Sequence, residues 1–126
     1  MFPVASKDPA TPSKLQYVNA HPLSTPDLPW FIKYYLNTPA EVSNPLIDLV
    51  NANLSNLPST TVIGAELDPL QSEGKTLADK LTAAGVKVNY KLYLGVTHEF
   101  FGMSAVVPQA EDAENLAAVD LKKAFQ

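Results

Sequence analysis

Thr60-Thr61-Val62-Ile63-Gly64-Ala65, with Asp68-Pro69-Leu70 close behind, is the stretch on which the fold of this chain turns. The run is β-branched or small and carries no charge, the composition of a strand buried on both faces. Asp68-Pro69-Leu70 then turns the chain. Ser72 is placed to cap a helix running to Ala84, with Leu77 and Leu81 four residues apart and Ala78 and Ala84 on the packing side. Gly85 stands where a helix end favours a left-handed residue. Val86, Val88, Tyr90 and Leu92 alternate with Lys87, Asn89 and Lys91, the pattern of a half-buried strand ending near Tyr93. A Gly-rich loop follows, Gly95 to Gly102. Pro108 leads into a final helix over roughly Gln109 to Phe125, with Ala113, Leu116, Ala117, Ala124 and Phe125 as its apolar positions.

Strand, helix, strand and helix in that order predict an α/β fold with two parallel strands joined by a crossover. Parallel sheets need several strands and cover on both faces, so this pair predicts a sheet that is incomplete in this chain. The first half reads differently. Nine of the 11 prolines lie between Pro3 and Pro58, and only Pro69 and Pro108 come later. Residues 1 to 29 read as extended loop. Trp30 to Leu36 places Phe31, Tyr34 and Tyr35 at helical spacing behind Pro29, which predicts a short helix. Asn44-Pro45 marks a turn, and Leu46 to Val50 reads as another short segment. The expected organisation is one partial domain over 1–126. Within it, 1–57 forms a cap-like connecting segment and 58–126 the strand-helix-strand-helix unit.

Composition narrows the function. With 126 residues and 46% hydrophobic content, the chain can bury roughly 65% of its unfolded surface as a single domain. The formal net charge of −4 offers no basic field to hold nucleic acid or anionic lipid. The absence of cysteine excludes disulfides, zinc–thiolate sites and a thiol nucleophile. No stretch approaches the ~18 apolar residues of a membrane span. Met1-Phe2-Pro3-Val4 has neither a basic start nor an apolar run of secretory length, so the sequence as given reads as cytoplasmic.

Functional groups of open α/β sheets gather beyond the carboxyl ends of the strands. Asp68 follows the first strand and His98 the second. Because the strands are parallel neighbours, a carboxylate and an imidazole emerge at one edge. A general base needs such a partner to hold its tautomer and to stabilise the imidazolium it becomes. Taken singly, each has a plainer reading: Asp before Pro is a common turn former, and a histidine in a Gly-rich loop is often merely exposed.

Several blocks together resemble the C-terminal part of the hormone-sensitive-lipase-like esterase family of α/β-hydrolases. They are Gly64-Ala65-Glu66-Leu67-Asp68-Pro69-Leu70, Glu73-Gly74, Ala83-Ala84-Gly85-Val86, and Gly95-Val96-Thr97-His98-Glu99-Phe100-Phe101. Upstream, Phe2-Pro3-Val4 looks like the end of the sheet strand after the nucleophile, and Asn19 to Leu36 like the segment feeding a cap helix. The resemblance implies a serine carboxylesterase or lipase-like hydrolase acting on carboxylic esters. In it Asp68 would orient His98, and His98 would serve as general base and then general acid in two-step acyl transfer. It implies no cofactor and no metal.

The family's nucleophile elbow, Gly-x-Ser-x-Gly, is not present in this sequence. None of the five glycines (64, 74, 85, 95, 102) flanks a serine in that pattern, and there is no Gly-Gly for an oxyanion loop. Gly102-Met103-Ser104-Ala105-Val106 holds half the motif, but after the histidine, so Ser104 reads as an ordinary loop serine. His98-Glu99 is no zinc-protease signature, because Gly102 stands where the second histidine belongs. His21 reads as solvated. The Trp30 to Tyr35 aromatics suit either an acyl pocket or simple packing of a cap helix. The expectation is a C-terminal fragment of an esterase, inactive alone, whose ester substrate awaits an N-terminal half. A second reading makes the chain a non-catalytic module that covers its strand edge by homo-oligomerisation or by swapping its N-terminal segment. A third, a small-molecule binding protein without chemistry, has no residue that selects it.

Overall fold

The computed structural model describes residues 3–126; Met1 and Phe2, the latter part of the upstream block Phe2-Pro3-Val4, lie outside the described residues. Six principal elements follow in order: α1 (Pro12–Gln16), α2 (Leu28–Tyr35), β1 (Thr60–Leu67), α3 (Gln71–Ala83), β2 (Val88–Thr97) and α4 (Pro108–Ala124). Short 3-10 turns punctuate the first half, at Thr25–Asp27, Pro39–Ser43 and Leu49–Asn51. The N-terminal stretch is thus less extended than the prolines suggest, because Pro12 sits at the start of α1, where its missing N–H costs nothing. No helix among the described residues is long and apolar enough to cross a membrane.

β1 and β2 pair in parallel as a two-stranded sheet, the α/β arrangement expected from the order of elements, with the sheet incomplete in this chain. Both faces of the pair are covered. On one side Ile63, Ala65, Tyr93 and Val96 pack with Phe100 and with Ala110 and Ala113 of α4. On the other, Leu77 and Leu81 of α3 join Val86, Val50, Leu54 and Ala5, with Val88 alongside. The polar positions of β2 are therefore not simply solvated: Lys91 Nζ reaches Asp112 of α4 at 2.5 Å, and Asn89 Nδ2 donates to Asp120 Oδ2 at 2.8 Å. Asp120 Oδ2 also accepts from Thr61 Oγ1 at 2.7 Å. These bonds hold the Asp120 carboxyl below its ordinary 3.8, the Thr61 bond contributing most.

Three sequence expectations need correction. The second strand starts at Val88 and continues to Thr97, so Gly95 belongs to a strand and not to a loop. Ala124 and Phe125 do not join the core; Phe125 is 87% exposed. Asp120 already meets Thr61 and Asn89 near the strand starts, and the residues after it are exposed. Ser72 does not cap its own helix. Leu70 occupies the cap position of α3, and Ser72 Oγ instead accepts the Ser13 N–H of α1 at 2.9 Å. Gly85 behaves as read, with φ +83° and the Val86 N–H donating back to Leu81 O at 3.0 Å.

The register holds one irregularity. Thr60 pairs with Val88, an offset of 28 residues, and the same offset runs to Ala65 with Tyr93. Leu67 pairs with Thr97, an offset of 30, so β2 carries two extra residues there. Gly95 absorbs the bulge at φ +72°, and its N–H donates to Glu66 Oε2 of β1 at 2.7 Å. An added Cβ would meet nothing within 4 Å, so the demand for glycine is one of backbone conformation. Gly95→Ala should therefore cost about 1–2 kcal/mol of folding free energy, read by urea denaturation. An unchanged midpoint would show that the bulge relaxes without strain.

Candidate active site

The two extra residues decide what faces Asp68. Had the early offset continued, residue 96 would lie across from it; with the bulge, the position is taken by residue 98. Asp68 is buried just beyond β1 at 2% exposure, and both of its oxygens are engaged. Oδ1 accepts the Leu70 N–H at 2.8 Å, closing a turn on the carboxylate, and the Asp68 carbonyl accepts the Gln71 N–H at 3.1 Å. Oδ2 lies 2.9 Å from His98 Nδ1. A carboxylate in this setting only accepts, so the imidazole is read with its proton on Nδ1.

His98 projects from a short turn anchored in the core. Phe100, 1% exposed, packs on Tyr93 of β2 with ring centroids 5.3 Å apart. Between them Glu99 takes a left-handed backbone, φ +67°, uncommon for a residue with a side chain. Its carboxylate Oε1 lies 3.5 Å from His98 Nε2, so the ring stands between two acidic side chains, one buried and one exposed. Glu99 could not have been singled out from sequence, because its backbone angle is set by how the Phe100 anchor closes the turn.

A cavity of about 360 Å³ reaches His98. Leu23, Leu28, Phe31, Ile32 and Leu70 form its apolar wall, with His98 and Glu99 also lining it. Leu23, Leu28 and Leu70 pack as one small cluster, which ties α2 to the Asp68 turn. Of the α2 aromatics only Phe31 lines the cavity, beside Ile32; Trp30, Tyr34 and Tyr35 are 58%, 67% and 78% exposed and take neither expected role. Ser104 lies in an exposed turn and His21 is exposed. Among the described residues no group of three or more His, Asp and Glu could hold a metal ion.

Behind the Asp68 turn lies a buried ion pair that the sequence does not announce. Lys14 Nζ contacts Glu73 Oε2 at 2.5 Å with both side chains almost fully buried, and Glu73 Oε1 accepts the Ala5 N–H at 2.8 Å. Lys14 also donates to the Asp8 carbonyl at 2.7 Å. Burial raises the Glu73 carboxyl above its ordinary 4.5, against the downward pull of Lys14 and the Ala5 N–H. Lys14 sits in a stretch read as loop, so no charge pattern pairs it with residue 73.

Comparison with known proteins gives the following likenesses. The family model described as "alpha/beta hydrolase fold" matches residues 1–102. An ethyl acetate hydrolase of Pseudomonas putida is 31% identical over 113 residues, which is 89% of this chain and 36% of that protein. Carboxylesterase NlhH of Mycobacterium tuberculosis is 39% identical over 75 residues, 60% of this chain and 24% of its own length. Among solved structures, an esterase of Pyrobaculum calidifontis superposes with a TM-score of 0.91 at 30% identity, covering 98% of this chain and 42% of its own. EstE1, a thermophilic carboxylesterase from a metagenomic library, gives 0.93 at 29% identity, covering 99% and 44%. This chain thus spans less than half the length of each of these proteins.

Proposed function

Because this chain belongs to the alpha/beta hydrolase fold family, among its hormone-sensitive-lipase-like esterases, we propose that it supplies the acid and the base of a serine carboxylesterase, Asp68 and His98. The observation that carries this reading is the geometry at the strand tips. Asp68 Oδ2 meets His98 Nδ1 at 2.9 Å while Oδ1 is occupied by the Leu70 N–H. With Nδ1 protonated and held, Nε2 is the nitrogen that accepts a proton.

In the proposed reaction a serine hydroxyl, contributed from outside this sequence, bonds to the carbonyl carbon of a carboxylic ester as its proton passes to Nε2. His98 then returns that proton to the departing alcohol oxygen. Water repeats the sequence on the acyl-enzyme and releases the acid. The Asp68 carboxylate stabilises the imidazolium between those transfers and keeps its own proton count unchanged. The apolar cavity beside His98 supports an uncharged acyl or alcohol group as the part of the ester it receives.

Alone, the chain has no Gly-x-Ser-x-Gly and no Gly-Gly oxyanion loop, so purified by itself it should hydrolyse p-nitrophenyl acetate no faster than its His98→Ala variant. Co-expressed with the nucleophile-bearing N-terminal portion of the Pseudomonas putida relative, it should regain hydrolysis that the His98→Ala variant lacks. A folded complex that stays inactive would sink the proposal.

A further inference from the structure

Two helix starts meet directly behind the Asp68 turn, and each caps the other. The first N–H groups of a helix lack intrahelical partners and need acceptors from elsewhere. Leu70 leads into α3 and has no side-chain acceptor; Thr11 leads into α1 and makes no capping bond. The acceptors come across the gap. The Ser13 N–H donates to Ser72 Oγ at 2.9 Å, and the Ser72 N–H donates to Ser13 Oγ at 3.0 Å. The Ser13 hydroxyl proton is left for a third bond, which goes to the Pro69 carbonyl at 2.7 Å.

That third bond matters because of where Pro69 lies. It follows Asp68, has no N–H of its own, and precedes Leu70, whose N–H holds Asp68 Oδ1. Ser13 is 2% exposed, so its hydroxyl has no water to exchange with and must be satisfied inside the protein. The third bond holds the peptide between Pro69 and Leu70 from behind, the two reciprocal serine bonds fix the hydroxyl that makes it, and Asp68 Oδ1 holds the peptide from in front. We infer that Ser13 is a positioning residue for the Asp68–His98 pair: from α1 it fixes the turn that aims the carboxylate at Nδ1. Ser72 is its reciprocal partner. This rests on reading Asp68 and His98 as a working pair, but its test needs no ester hydrolysis.

Nuclear magnetic resonance on the intact chain reads the two relevant protons: the His98 Nδ1–H signal and the solvent exchange of the Leu70 amide. Ser13→Ala leaves the Pro69 carbonyl and the Ser72 N–H without partners. It should abolish the slowly exchanging Nδ1–H signal and speed Leu70 amide exchange about tenfold. Ser13→Thr, which keeps the hydroxyl, should retain the Nδ1–H signal. Val86→Ala, which thins the core beyond the C-terminal end of α3, away from the Ser13–Ser72 pair, should leave both protons unchanged. If Ser13→Ala proves too unstable to study, Ser72→Ala removes one bond of the set and should speed Leu70 exchange about threefold. A folded Ser13→Ala with both signals intact overturns the inference, as does a Val86→Ala that disturbs them equally or a Ser72→Ala without effect. Failure of the co-expressed enzyme to turn over ester would leave these proton signals untouched, so the two ideas fail separately.

Discussion

Asp68→Asn is expected to lower kcat for p-nitrophenyl acetate about 10⁴-fold, with KM little changed, in the chain completed by a nucleophile-bearing partner. The reasoning starts from the hydrogen bonds of the aspartate. Both of its oxygens accept, Oδ1 from the Leu70 N–H and Oδ2 from His98 Nδ1. Asparagine has one acceptor and one donor end. The Leu70 N–H is a fixed backbone donor, so the amide oxygen is drawn to it and the NH₂ turns toward Nδ1. His98 must then present an unprotonated Nδ1, with its proton on Nε2, where it has no capacity to take one from serine. The opposite amide orientation sets NH₂ against the Leu70 N–H, two donors face to face at a buried site. Either way the pair fails, although size and shape are nearly preserved. Retention of activity within about tenfold of the parent would show that Asp68 serves the turn and not the reaction.

Lys14→Met should cost about 3–5 kcal/mol of stability at neutral pH, seen as a loss of denaturant midpoint with the m-value unchanged. The methionine fills the aliphatic space but strands the Glu73 carboxylate, which burial already disfavours. The pH dependence identifies the cause. Glu73 has a folded pKa above its ordinary 4.5, so folding takes up a proton there. The stability this group contributes is fully present below 4.5 and is lost as pH rises through the raised folded value. Removing Lys14 removes the largest downward influence on it and widens that window. The defect should therefore be greatest at neutral pH and shrink on acidification. Adding Glu73→Gln, which keeps an acceptor for the Ala5 N–H, should recover at least about 2 kcal/mol at neutral pH and flatten the profile. A Lys14→Met defect that does not vary with pH would place the loss in packing alone.

Much of this protein is legible along the chain because its signals are local. The charge-free run after Thr60, the Leu77–Leu81 spacing and Gly85 each depend on neighbours within a turn or two, and β1, α3 and the α3 terminus form close to where they read. The order of elements brings Asp68 and His98 to one edge, since loops after parallel neighbours must emerge together. What the local pattern could not carry is any choice that depends on a distant surface. Whether Gly95 opens a loop or bends a strand rests on Glu66 of β1 accepting its N–H. Whether Ser72 caps α3 or α1 rests on where Ser13 arrives, 59 residues earlier in the chain. Lys14 looks like a surface charge until α1 folds it onto Glu73. Apolar periodicity and turn chemistry thus settle which elements exist and which residues lie at their tips. Long-range hydrogen bonding, strong only once water has been excluded from between the elements, settles the two-residue bulge and the reciprocal serine caps, and with them the aim of the carboxylate at the imidazole.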